Sequence, residues 1–285
     1  MSEAPTTTST PEKNSASARV IAISSGKGGV GKTSIVSNLA ISFARQGAKV
    51  LAMDGDLGLA NLDIALGLKP DLNLLDLFDE TATIDEILTE GPEGITLLPG
   101  CSGRYDLANL DERDRYKLFQ AVDTLENRFD LLLIDTGAGI NSNAVSFAAA
   151  AQTIVMVADP DPTSLADAYA FIKVMAMECG TKKVQLIANR VAGAREGEEV
   201  YDRLSTLANR FLGVGVEYLG YVNNDAAIAR ATRERVPVVV GYPSSLASQR
   251  LQSIASKILA LPAGASQSAG ISLFWKRLVG WKEAS

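Results

Sequence analysis

The stretch Ser24-Ser25-Gly26-Lys27-Gly28-Gly29-Val30-Gly31-Lys32-Thr33-Ser34 decides the fold. An apolar, β-branched run (Val20–Ser24) precedes it and a helical pattern (Lys32–Arg45) follows it. Gly26 through Thr33 fits GxxxxGK[ST], the phosphate-binding loop that joins a strand to a helix. Its glycines let successive backbone N–H groups turn inward around phosphates without a Cβ clash. The helix that opens near Lys32 adds the positive end of its dipole. Gly26, Lys27, Gly28, Gly29, Val30, Gly31, Lys32, Thr33 and Ser34 are therefore the candidate nucleotide-binding residues. In this chemistry Lys32 bridges the β- and γ-phosphates, and the Thr33 hydroxyl ligates Mg²⁺.

Outward from the loop, apolar runs recur at Val50–Asp54, Ile95–Leu98, Leu131–Ile134, Thr153–Ala158, Val184–Ala188 and Tyr218–Val222. Helical stretches include Glu112–Asn127, Leu165–Glu178 and Ser244–Leu259. Buried-type strands alternating with helices predict an α/β fold, a mostly parallel doubly wound sheet covered by helices on both faces. In such sheets ligands bind at the carboxyl ends of the strands. Residues 19–261 read as one domain. Residues 1–18, rich in Ser, Thr, Pro and Ala, lack apolar runs and read as disordered. Residues 262–270 read as a flexible linker, and 271–285 as a separate amphipathic tail.

The chain has 285 residues, 47% hydrophobic and 21% charged, with net charge −6. It contains no histidine, which excludes Ser-His-Asp and Cys-His catalysis and His-ligated zinc. The two cysteines, Cys101 and Cys179, form neither a CxxC nor a disulfide framework and fit a reducing cytoplasm. The acidic balance argues against a chain-wide grip on nucleic acid. Chemistry must run on Lys, Asp, Thr, backbone amides and a bound ion.

Carboxylates stand where that chemistry needs them. The second apolar run ends in Asp54-Gly55-Asp56, followed by Asn61-Leu62-Asp63. Carboxylates at a strand's carboxyl end, beside a P-loop, are placed to orient water or Mg²⁺, and Asp54 and Asp63 serve equally well as turn or helix caps. The run Leu131–Ile134 ends in Asp135-Thr136-Gly137-Ala138-Gly139. Four apolar residues and an Asp at a strand's end form a Walker B pattern, with Asp135 holding Mg²⁺.

SGKGGVGKTS, with its early lysine Lys27, resembles the deviant Walker A motif of the MinD/ParA superfamily, and DGDLGLANLD resembles that family's switch region. The match covers roughly residues 19–260. It implies a P-loop ATPase that uses ATP and Mg²⁺, with Lys27, Lys32 and Asp56 as catalytic residues, Asp56 positioning the attacking water, and with Thr33, Asp135 and, in the outer shell, Asp54 at the metal. It also implies a homodimer in the ATP-bound state, in which Lys27 reaches the partner's phosphates. Asn189-Arg190 falls where the superfamily reads adenine, and an Asn amide can pair with adenine's N6/N7 edge. Asp135-Thr136-Gly137-Ala138-Gly139-Ile140 and the stretch Asp159–Lys173 are similar to the FlhG/FleN (YlxH) branch, which implies regulation of flagellar number or placement. A flagellar GTPase or a transcription factor is the partner class this branch implies. The sequence departs from the family at Asn223-Asn224-Asp225, where a proline usually shapes the adenine wall. It also lacks a DQAxxLR-like N-terminal segment, so partnership with the GTPase FlhF does not follow.

The tail holds both tryptophans. At helical spacing Ile271, Phe274, Trp275, Leu278, Val279 and Trp281 share one face, and Ser272, Lys276 and Arg277 share the other. Lys276, Arg277 and Lys282 against Glu283 give the tail net charge +2, leaving −8 on residues 1–270. An aromatic stripe opposite a basic face predicts an interfacial helix, with Ile271, Phe274, Trp275, Leu278 and Trp281 as the membrane contacts. A helix docked on the protein's own core, or on a partner, is the competing reading. MinD and FlhG proteins carry a membrane-targeting helix here, so the resemblance implies a cytoplasmic protein reversibly bound at the inner membrane. Two further function classes compete: septum-site or ParA-like cargo positioning, and a nucleotide-binding scaffold. No specific nucleic-acid partner is expected.

Overall fold

The computed structural model describes residues 17–56, 60–100, 112–262 and 270–280. Outside them lie 1–16, 57–59 of the switch stretch, 101–111 with Cys101, 263–269 of the expected linker, and 281–285 with Trp281 and Lys282. Ala18 is fully buried, so the folded body starts before Arg19.

The described strands are β1 (Arg19–Ser25), β2 (Val50–Gly55), β3 (Thr89–Glu90), β4 (Thr96–Leu98), β5 (Leu131–Ala138), β6 (Thr153–Ala158), β7 (Lys183–Val191) and β8 (Gly215–Asn223). They form one sheet in the order β3-β4-β2-β5-β1-β6-β7-β8. Every neighbouring pair is parallel except the short edge strand β3, which runs antiparallel to β4. β1, which feeds the glycine loop, sits between β5 and β6, in the interior of the sheet.

The helices are α1 (Lys32–Arg45), α2 (Leu62–Leu66), α3 (Leu74–Phe78), α4 (Ile84–Ile87), α5 (Glu112–Asp123), α6 (Ser142–Ala150), α7 (Pro162–Cys179), α8 (Ala194–Leu212), α9 (Ala226–Glu234), α10 (Val238–Gly241), α11 (Leu246–Ala260) and α12 (Ile271–Gly280). Local chemistry fixes several ends. Asp161 accepts from the Thr163 amide and Pro162 starts α7 without a lost donor, while Gly180 ends it in the left-handed region. Asp225 and Ser245 cap α9 and α11. The charged helix α8 buries Gly197, Val200, Leu204 and Ala208, one residue per turn, with Tyr201 and Leu212 partly buried beside them.

Period-two alternation divides the core. Ile21, Ile23, Val50, Ala52, Leu131, Leu133, Val155 and Val157 pack under α1 and α11. Val20, Leu51, Met53, Leu132 and Ile134 face the other way, against α5 and α12. Ala22, Ile154, Met156, Val184 and Leu186 lie under α6, α7 and α8.

The stripe on α12 expected to face lipid faces inward instead. Ile271, Phe274, Trp275 and Leu278 are at most 2% exposed. They join Leu118, Val122, Leu125, Phe129 and Phe147 in one cluster. Phe274 stacks on Phe147 of α6 with ring centroids 6.2 Å apart. Lys276 and Arg277 stay exposed. The Ser272 amide donates to the Glu126 carboxylate (2.9 Å) and its hydroxyl to Asp123 (2.5 Å), placing acidic groups at the positive end of the helix. An aromatic stripe suited to lipid is equally suited to an apolar groove of the protein. The chain supplies that groove between α5 and α6.

Burying four large apolar side chains is worth roughly 6–12 kcal/mol. Trp275 is the largest of these anchors, and its removal is expected to release the helix. Trp275→Ala is expected to accelerate amide hydrogen exchange across α12 by about 100-fold, the equivalent of roughly 3 kcal/mol, while β1 and β5 keep their protection. Unchanged protection of α12 would contradict the docked arrangement.

Candidate functional site

The loop after β1 needs its glycines for different reasons. Gly29 and Gly31 have φ of 79° and 92°, where a side chain is strained. A Cβ on Gly26 would lie 2.1 Å from the Asp167 backbone carbon, so this glycine lets the loop pass against α7. Gly28 has open space around it. The loop borders a cavity of about 960 Å³, lined by Gly28, Gly29, Gly31, Lys32, Thr33 and Ser34. The same cavity is lined by Asp56, Asn189, Arg190 and Asn223 through Asp225. Residues from four distant parts of the chain thus converge at the carboxyl end of the sheet.

Beneath this cavity, sheet register sets the acids. Asp135 pairs in register with Ile23 on one side and Asp54 on the other. Lys32 Nζ meets Asp135 Oδ1 at 2.5 Å, with side chains 8% and 2% exposed. An ammonium and a carboxylate buried together compensate each other's lost hydration. The buried Asp135 carboxylate and the Thr33 hydroxyl form an all-oxygen donor set that suits Mg²⁺, which takes few protein ligands and completes its shell with water and phosphates. Among the described residues no group of three or more acidic or thiol side chains competes as a metal cage.

Asp54 holds backbone amides through both of its carboxylate oxygens. Oδ1 accepts from the Asp56 amide (3.0 Å), and Oδ2 from the amides of Asn61 (2.8 Å) and Leu62 (2.9 Å). Both oxygens thus hold the two flanks of residues 57–59 and the start of α2. Burial first, and the Asp135 charge second, push its pKa up to about 7 against these bonds. Asp54 fixes the segment that carries Asp56, the capping role that sequence alone left open.

Asn189 is 4% exposed and donates from Nδ2 to the Val30 carbonyl (2.7 Å). Its Oδ1 is buried without a partner. A buried acceptor with nothing to accept fits a base that offers an amino group, as adenine does at N6. Arg190, at φ 57°, lines the same wall. The departure at Asn223-Asn224-Asp225 falls on this wall as well. Asp225 is committed to capping α9 and to the Ala247 amide, and Asn223 donates to the Ala192 carbonyl.

Lys27 turns away from this cavity. Its Nζ donates to Thr163 Oγ1 (2.6 Å) and lies 3.9 Å from Asp161, at the start of α7. The Thr163 side chain, and then its amide, hold the Asp161 carboxyl below its usual range. Asn61, Thr232 and Arg233 also line the cavity, although sequence reasoning gave them no place in the site. Asn61 was within reach, since it lies in the quoted switch stretch. Thr232 and Arg233 come from α9, and only the fold brings them in.

The model of the CobQ/CobB/MinD/ParA nucleotide-binding domain matches residues 21–238. The chain belongs to this family. It is similar to the antiactivator FleN of Pseudomonas aeruginosa, 35% identical over 92% of this chain and 93% of that protein. It is also similar to the flagellum site-determining protein YlxH of Helicobacter pylori, 37% identical over 93% of this chain and 91% of that one. Among solved structures, the septum site-determining protein MinD of Pyrococcus horikoshii, complexed with Mg-ADP, superposes with a TM-score of 0.67. That pair is 27% identical over 85% of this chain and 96% of the other. The protein is a MinD-like P-loop ATPase, with ATP and Mg²⁺ as its nucleotide and metal.

The Asn189 geometry makes base selectivity measurable. Guanine presents an acceptor where adenine presents its amino group, so it leaves Oδ1 unpaired. Asn189→Ala is expected to weaken Mg-ATP binding about tenfold and to erase most of the preference over Mg-GTP, measured by competition with a fluorescent nucleotide. A variant that keeps the full ATP preference would remove Asn189 from base reading.

Proposed function

We propose that this protein is an ATP-driven dimeric switch that sets the number or placement of flagella and attaches to the inner membrane through α12 in its ATP-bound state. The observation that carries the reading is Lys27. It is a second loop lysine, 42% exposed, held outside the phosphate cavity of its own chain by Thr163. A cation in this position is available to the phosphates of a second copy. The similarity to FleN and YlxH over nearly the whole chain supports the flagellar role.

In this reading the loop amides and Lys32 bind the phosphates, and Asn189 orients the base. Asp56, held through its amide by Asp54, positions the attacking water. Thr33 and Asp135 would hold Mg²⁺, which when bound neutralises charge on the transferring phosphoryl group. Lys27 of each copy adds a positive charge across the dimer, where charge develops in the transition state. In this reading α12 exchanges its groove between α5 and α6 for the membrane when the ATP-bound dimer forms. Among the described residues no helix is long and apolar enough to cross a membrane, so attachment is peripheral in this reading. One short helix binds lipid weakly, and two in a dimer bind far better through effective concentration.

Sedimentation with anionic phosphatidylglycerol vesicles tests the switch. Binding is expected with Mg-ATP, to drop at least about tenfold with Mg-ADP, and to vanish when residues 271–285 are deleted. Equal binding in both nucleotides would remove the switch, and binding that survives the deletion would remove the anchor. A strain lacking the protein is expected to show an altered flagellar count or position. A normal flagellar pattern would move the reading to septum-site or other cargo positioning.

A further inference from the structure

A second cavity, of about 570 Å³, opens at the opposite end of the sheet, where β1, β6 and β7 begin. Seven residues of β1 at about 3.3 Å each put it roughly 20 Å from the nucleotide cavity. Its wall includes Arg19, Thr153, Lys183, Gln185 and Leu261. Strand alternation puts Arg19, Thr153, Lys183 and Gln185 on the sheet face that carries Ile21, Val155 and Ile187. A polar row thus crosses three neighbouring strands under the end of α11.

Two buried polar atoms in this wall have no partner. Arg19 donates from Nη1 to the carbonyls of Ile258 (2.8 Å) and Leu261 (3.3 Å), and from Nη2 to Thr153 Oγ1 (3.1 Å). Its Nε is buried and unpaired. No carboxylate among the described residues lies within ion-pair distance of this guanidinium, and burial lowers its pKa with no opposing charge. Gln185 is 5% exposed. Its Nε2 donates to Glu217 (2.8 Å), which fixes the amide, because the flipped form would set two oxygens together. Its Oε1 is left buried and unpaired. Lys183 is neutralised by Glu217 at 2.5 Å, so Arg19 carries the uncompensated charge of the cavity.

A half-buried cation without a counter-ion, a free N–H and a free amide oxygen on one cavity wall describe a ligand by its complement. We propose that this cavity binds a small oxyanion bearing a hydroxyl or amine donor, as in a phosphate monoester or a hydroxycarboxylate. The anionic oxygen takes the Arg19 Nε–H and neutralises the guanidinium, and the donor satisfies Gln185 Oε1. The same Arg19 ties β1 to the last turn of α11, so occupancy braces that helix end. Neither residue belongs to the nucleotide site, so the proposal stands apart from the reading above.

Calorimetric titration of the full chain, saturated with Mg-ADP so that the phosphate loop is filled, tests the site. The probes are inorganic phosphate and, separately, L-malate. One-site binding at millimolar affinity or tighter is expected for at least one probe, weakened about tenfold or more by Arg19→Gln and by Gln185→Leu. Binding of phosphate alone assigns the phosphate ester, binding of malate alone the hydroxycarboxylate, and binding of both the shared oxyanion chemistry. Gln185→Leu preserves size and removes the unpaired oxygen, so it is expected to fold with an unchanged or raised Tm. It decides the matter if Arg19→Gln fails to fold. No binding of either probe up to about 10 mM, or binding that Gln185→Leu leaves unchanged, overturns the site.

Discussion

The buried pair of Lys32 and Asp135 is the constraint around which the rest of the structure is arranged. For an ammonium at the start of α1 to reach a carboxylate within β5, β1 must lie beside β5 and the loop must turn back tightly. Gly29 and Gly31 supply the positive φ, and Gly26 lets the loop graze α7. Removing one partner would strand the other charge among apolar neighbours, at about 3–5 kcal/mol. Phosphate and metal would engage these same two groups.

Asp54 extends this arrangement into the switch segment. It stands beside Asp135 in register and grips the amides of Asp56, Asn61 and Leu62. Any change of charge at Asp135 is felt by Asp54 through a few ångströms of low-dielectric interior, and passes to the backbone that carries Asp56. A single carboxylate couples the phosphate floor to the residue proposed to place the water.

Much of this was legible from the sequence because backbone demands and residue type coincide. GKGGVGKTS can be little else between a strand and a helix, and LLLID reads as a buried parallel strand that carries an acid, although β5 runs on to Ala138. Asn189 was legible by position, and the structure adds its unpaired oxygen. The direction of α12 was not legible. Its stripe encodes a preference for an apolar surface without saying which one, and the groove between α5 and α6 exists only after distant segments assemble. Arg19 and Gln185 were silent for the same reason, because an unpaired atom is a property of packing. For Asp54 the sequence offered a cap as one of two readings, and the three amides that it accepts form only once the segment has folded.

Single-turnover phosphate release by Asp56→Ala bears most directly on the central claim that this site hydrolyses ATP through a water placed by the switch segment. The account predicts Mg-ATP binding close to that of the unmodified protein, with phosphate release slowed by at least about 100-fold, a loss of roughly 2.7 kcal/mol of transition-state stabilisation. Phosphate release at the normal rate, with binding intact, would contradict it.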